Sequence, residues 1–124
     1  MRILLVDDEV ELVSAMAERL NMRGVNADYV TCGKSAVEKA QECHYDVMVV
    51  DLRMPGMDGI EVMKLVKEIS PDTGFVFLTG YGSEEQKTAS EAAGANCYLM
   101  KPVKISLLME KIDAAAQAAC TLSE

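Results

Sequence analysis

A chain of 124 residues, half of them hydrophobic, has the length of one compact domain and enough apolar surface to bury a core without disulfide or metal staples. Its formal net charge of −8 repels nucleic-acid phosphates, its apolar runs fall far short of a membrane span, and its first residues lack the apolar stretch of a signal peptide. Direct DNA or RNA binding and membrane insertion are therefore not expected, and a soluble, cytoplasmic protein is.

Five short apolar runs alternate with five longer amphipathic segments, the pattern of parallel strands joined by helical crossovers. The first strand is expected at Ile3 to Val6, followed by a helix that Gly24 closes at its C′ position. The second strand, Val25 to Val30, leads into a helix near whose end lies His44. With no second histidine to complete a site, His44 reads as a surface residue. Strands three (Val47 to Val50) and four (Phe75 to Leu78) are almost unbroken by polar residues, as befits the middle of a sheet covered on both faces. Between them, Asp58 with Glu61 spells a capping box for the third helix; Ser83 with Gln86 does so for the fourth, which Gly94 closes. The fifth strand runs Cys97 to Met100, and the last helix, Ile105 to Ala119, fades into a tail at 121–124, leaving residues 1–120 as one domain. The cysteines Cys32, Cys43, Cys97 and Cys120 contain no C-x-x-C pair and read as reduced small hydrophobes, with Cys120 near a fraying end.

The polar residues then fall in one place. In an open parallel α/β sheet the ligand crevice lies outside the carboxyl ends of the strands, where strand order reverses. Asp7, Asp8 and Glu9 follow the first strand, Asp51 the third, Thr79 ends the fourth and Lys101 follows the fifth. Helix capping or surface exposure accounts for any one of these, but not for the three aspartates, a hydroxyl and an ammonium on one rim. Crowded carboxylates require raised pKa values or a bound cation, and an all-oxygen acidic set suits Mg2+. A metal, a lysine and a hydroxyl around a carboxylate nucleophile suffice for phosphoryl transfer, which asks the protein mainly for positioning and charge neutralisation. Gly80, beside Thr79, serves either as room for a phosphoryl group or as a plain loop glycine.

Four blocks, Leu4-Leu5-Val6-Asp7-Asp8-Glu9, Val50-Asp51-Leu52-Arg53-Met54-Pro55-Gly56-Met57-Asp58-Gly59, Leu78-Thr79-Gly80 and Met100-Lys101-Pro102, resemble the signature blocks of bacterial response-regulator receiver domains, in the same order and each after the corresponding strand. The resemblance implies a doubly wound α/β fold, a flavodoxin-like five-stranded parallel sheet of order 2-1-3-4-5 with helices on both faces. It implies Asp51 as phosphoacceptor, and Mg2+ held by Asp7, Asp8, Asp51 and the main-chain carbonyl of Arg53. Thr79 and Lys101 would touch the phosphoryl oxygens, and the Lys101-Pro102 bond would be cis. Thr79 and Tyr98 would form the switch, with the face of helix four, strand five and helix five as output. Helix one, from Glu11, Leu12 and Ala15, with the Pro102-Val103 loop would dock a sensor histidine kinase or phosphotransfer protein. Further expected partners are a downstream effector protein or an output domain missing from these residues, and a second copy in a phosphorylation-dependent homodimer. Arg53 and Tyr81 would shield the acyl phosphate from water. Such a protein is a signalling domain rather than an enzyme, catalysing only its own phosphorylation and dephosphorylation. An FMN-binding rival would need a hydroxyl-rich loop where Asp7-Asp8-Glu9 stands, and a phosphatase with a second Asp two residues past the nucleophile would need it where Arg53 stands.

Overall fold

The computed structural model describes residues 1–80 and 84–123, with residues 86 and 119–123 described in backbone alone. The elements run β1 (Arg2–Val6), α1 (Val10–Met22), β2 (Asn26–Val30), α2 (Gly33–Glu42), β3 (Val47–Val50), α3 (Gly59–Ile69), β4 (Gly74–Thr79), α4 (Glu84–Ala92), β5 (Cys97–Met100) and α5 (Ile105–Ser123). All strand pairs are parallel, and the sheet order is β2-β1-β3-β4-β5, the expected doubly wound arrangement.

Side-chain alternation explains why the strands are apolar throughout. Leu4, Val6, Met48, Val50, Phe75 and Phe77 pack on one face with α2 and α3, whereas Ile3, Leu5, Val47, Val49, Val76 and Leu78 pack on the other with α1 and α5. Strands β3 and β4 are buried along their whole length, but edge strand β2 is buried only at Ala27. Two-faced burial thus selects the unbroken Val and Phe runs.

Gly24 and Gly94 adopt φ of 88° and 110°, the left-handed conformation expected past a helix C-terminus. Asp58 caps α3, its side chain accepting from the Glu61 N–H at 2.9 Å. The last helix outruns its expected end at Ala119 and continues through Ser123, taking in most of the expected tail; the Ala-rich sequence offers no glycine or proline to stop it. Ser83 of the capping pair, the shielding residue Tyr81 and the side chains of Gln86 and Cys120 lie outside the described residues. Among the described residues no helix is long and apolar enough to cross a membrane.

Candidate functional site

The reversal of strand order lies between β1 and β3, so the residues just past these strands face one crevice. Asp7 continues β1, its N–H donating to the Val30 carbonyl at 3.3 Å, and Asp51 continues β3, its N–H donating to the Val6 carbonyl at 2.9 Å. Both carboxylates are buried, at 6% exposure each, whereas Asp8 lies exposed on the rim. Asp7 Oδ1 accepts the Glu9 N–H at 2.9 Å and Asp51 Oδ1 accepts the Arg53 N–H at 3.1 Å. Each thereby turns its other oxygen inward. Gly59, the first residue of α3, presses so closely on β3's end that a Cβ there would stand 2.6 Å from the Asp51 carbonyl oxygen.

Lys101 arrives from the far side of the sheet. Its N–H donates to the Thr79 carbonyl at 2.8 Å and its bond to Pro102 is cis. Its Nζ lies 2.7 Å from Asp7 Oδ2, 3.2 Å from Glu9 Oε1 and 3.3 Å from Asp51 Oδ2. Burial alone would push this ammonium down, but the hydrogen bond to Asp7 and the charges of Asp51 and Asp7 outweigh it and hold the Lys101 pKa well above the usual value. Burial likewise drives the Asp51 carboxyl upward, with the Asp7 charge adding to it and the Arg53 N–H and Lys101 only partly opposing. The site is therefore short of positive charge: the Lys101 ammonium, with Arg53 at the cavity's border, faces a set to which Asp7, Asp8, Asp51 and Glu9 all contribute carboxylates.

Asp7, Asp8 and Asp51 each offer an oxygen within 4.8 Å of the others. Three hard anionic donors so close together, in surplus over the available cation, fit a small hard dication. Above them is a cavity of about 210 Å3 lined by Asp8, Glu9, Asp51, Arg53, Thr79 and Gly80. Thr79 is fully buried at its wall. A Cβ on Gly80 would come no nearer than 4.0 Å to Lys101 Cδ, so space at this loop exceeds what glycine alone requires.

Tyr98 pairs with Phe77 in the β4–β5 register, two residues below the Thr79–Met100 pair, which places Tyr98 and Thr79 on the same sheet face. Its ring packs on the α3 side of the core, and its buried hydroxyl has no hydrogen-bond partner among the described residues. On the other face, Leu12, Ala15 and Met16 of α1 and Pro102, Val103 and Ile105 line a groove of about 580 Å3 that reaches Lys101. Asp7, Asp8, Asp51, Arg53, Thr79 and Lys101 thus gather at one edge of the sheet, with Tyr98 packed two residues below it. Glu9 and Gly59 enter the site without a role expected from sequence; Glu9 stands in the acidic run after β1, but Gly59 carries no local signal beyond following a capping Asp.

The sequence model of the response regulator receiver domain matches residues 3–113. The chain is 31% identical over 114 residues to the two-component response regulator PhoP of Pseudomonas aeruginosa, covering 92% of this chain and 51% of PhoP. It is 35% identical over 101 residues to the transcriptional regulatory protein ResD of Bacillus subtilis, covering 82% of this chain and 42% of ResD. The chain thus spans about half, or less, of the length of these curated relatives. Among solved structures, a CheY-like response regulator receiver domain protein from Methanospirillum hungatei superposes with a TM-score of 0.90 at 28% identity, covering 97% of this chain and 96% of that one. The response regulator TrrA of Thermotoga maritima, in complex with Mg(2+)-BeF, superposes with a TM-score of 0.81 at 32% identity, covering 92% and 97%. Motif order, strand order, site geometry and these likenesses agree that the chain belongs to the response regulator receiver domain family.

Proposed function

We propose that Asp51 accepts a phosphoryl group in a Mg2+-dependent reaction, with Asp7, Asp8, Asp51 and the main-chain carbonyl of Arg53 as the metal's ligands. The observation that carries this reading is Lys101 Nζ held 2.7 Å from Asp7 and 3.3 Å from Asp51 under a cavity bordered by Thr79 and Gly80. Bound there, Mg2+ would neutralise charge on the carboxylates and the phosphoryl oxygens. An oxygen of the ionised Asp51 carboxylate attacks phosphorus while the bond to the leaving group breaks, giving an acyl phosphate on Asp51 and the freed donor. Lys101 holds a phosphoryl oxygen through its ammonium, and the Thr79 hydroxyl donates to another. Self-dephosphorylation is the reverse concern, with water as acceptor, and Arg53 on the cavity rim restricts its approach.

The donor is a sensor histidine kinase or phosphotransfer protein docking along the α1 groove beside Lys101. The added charge draws Thr79 toward the site and reorients Tyr98, changing the α4, β5 and α5 face. That face then meets a downstream effector protein, an output domain of the same polypeptide or a second copy of the chain, in the cytoplasm. The buried Tyr98 hydroxyl, without a partner among the described residues, supports the switch, since a buried polar group without a partner costs about 1–3 kcal/mol and favours leaving. The test is incubation with acetyl phosphate and Mg2+ followed by intact mass measurement. Wild type should gain one phosphoryl group and Asp51→Asn none; labelling of the variant at the wild-type rate would overturn the assignment.

A further inference from the structure

The N-cap of α1 is Glu9, where helices favour the short side chains of Ser, Thr, Asp or Asn. Its carboxylate makes no capping bond. It reaches across the rim instead, to Lys101 Nζ at 3.2 Å. A local rule broken without local gain directs attention to what the side chain touches.

Lys101 has three carboxylate contacts, Asp7, Glu9 and Asp51. Two of them, Asp7 and Asp51, also belong to the set of three that converges within 4.8 Å. A dication entering that set would draw on the same oxygens and repel the ammonium through a poorly screened gap. Glu9 is the contact outside the set. We infer that Glu9 is a positioning residue that retains the Lys101 ammonium when a divalent cation takes over Asp7 and Asp51, an inference that rests on the metal role proposed for those residues. With Glu9 the two cations coexist, and Lys101 stays at the cavity rather than competing for the metal's ligands. Glu9 is 62% exposed, so its hold is that of a weak, solvent-screened ion pair, and Lys101 can be passed on to a phosphoryl oxygen.

The experiment is a calorimetric titration with Mg2+ at fixed ionic strength. Glu9→Gln and Glu9→Asp, one losing the charge and the other the reach, should both raise the Mg2+ dissociation constant about two- to fivefold, the size set by one partly exposed ion pair. Glu11→Gln, which removes the same charge from an exposed first-turn position of α1, should change it less. In a Lys101→Met background the Glu9→Gln effect should vanish, because no ammonium is left to hold. Persistence of the full effect in that background would mean that Glu9 attracts the metal directly, and wild-type affinity in Glu9→Asp would mean that charge alone matters; either overturns the positioning role. Saturable binding that is equal in wild type and Glu9→Gln overturns it too, while leaving the metal reading in place. No saturable binding by wild type would overturn both.

Discussion

The N-terminal rim of the sheet gives its carboxylates separate partners, whereas the C-terminal rim crowds its carboxylates together. At the N-terminal rim, Arg2 pairs with Asp28 at 3.5 Å and lies over the Tyr45 ring, whose hydroxyl donates to Asp28 at 3.0 Å. The Arg2 N–H is taken by Asp46 at 2.7 Å. Beside them, Thr73 Oγ1 donates to the Tyr45 carbonyl at 2.8 Å, Ser70 Oγ donates to Asp72 at 2.9 Å, and His44 meets the same Asp72 oxygen at 3.0 Å. Arg2 Nε is the buried exception, without a partner among the described residues. At the C-terminal rim a single ammonium serves three carboxylates, with Asp8 beyond its reach. A rim that only ties loops together spreads its carboxylates among separate N–H, O–H and cationic partners; the rim proposed to admit a dication and a phosphoryl group holds three of its carboxylates within 4.8 Å of one another.

The largest effect that would sharpen this contrast is at Asp51. Replacing it by Asn should abolish labelling by acetyl phosphate while the fold persists, since the amide keeps the shape but lacks the nucleophilic charge. Intact mass and circular dichroism on the same sample separate lost chemistry from lost structure. Next in size is the opposite rim. Thr73→Val preserves volume but leaves the Tyr45 carbonyl without its donor at a position only 1% exposed, and should cost about 1–3 kcal/mol in urea denaturation. Labelling of Asp51 should be unaffected; a change in it would mean that the two rims are coupled and the contrast is false.

Much of this was legible in the sequence because the signals were local. Strands β3 and β4 announce themselves through unbroken Val and Phe, and Asp7, Asp8, Asp51, Thr79 and Lys101 each stand at or just past a strand end, where the fold class alone says to look. Gly24, Gly94 and Asp58 are short-range punctuation and sit where expected. Helix α5 runs past its expected end because alanine carries no stop signal. The N-terminal rim was invisible for a different reason: its bonds join Tyr45 to Asp28 and Thr73 to Tyr45, residues 17 and 28 apart in types that occur everywhere on surfaces. The hold of Glu9 on Lys101 spans 92 positions and was hidden in the same way.

A smaller effect is expected at Asp8, the exposed member of the acidic set. In metal-free buffer Asp8→Asn should gain from a few tenths to about 1 kcal/mol, the scale of screened surface charges, by relieving repulsion from Asp7 and Asp51. Added Mg2+ should raise the wild-type melting temperature with the logarithm of its excess over the dissociation constant and barely move the variant. Equal stabilisation of both would remove Asp8 from the metal set.

The smallest effect tests the contrast most directly, because the two rims hold carboxyls displaced in opposite directions. Burial first, then the Asp7 charge, raises the Asp51 pKa, whereas the hydrogen bonds from His44 and then Ser70 lower that of Asp72. Stability rises with pH where the unfolded chain binds more protons and falls where the folded chain does. For Asp51 the folded state binds the proton more tightly, so its contribution is fully present below the unfolded value near 3.9 and is lost as pH rises through the higher folded value. For Asp72 the contribution is present above that unfolded value and is lost as pH falls through the lower folded one. Measured in EDTA, Asp51→Asn should therefore exceed wild type in stability near neutrality, and its advantage should shrink as pH drops toward 4. Asp72→Asn should fall below wild type near neutrality, with its deficit shrinking as pH falls into the range below 4. A Mg2+-saturated repeat should erase the first difference and leave the second, since the metal supplies charge only at the acidic rim. Parallel pH profiles for the two variants would mean that both rims hold their carboxyls alike.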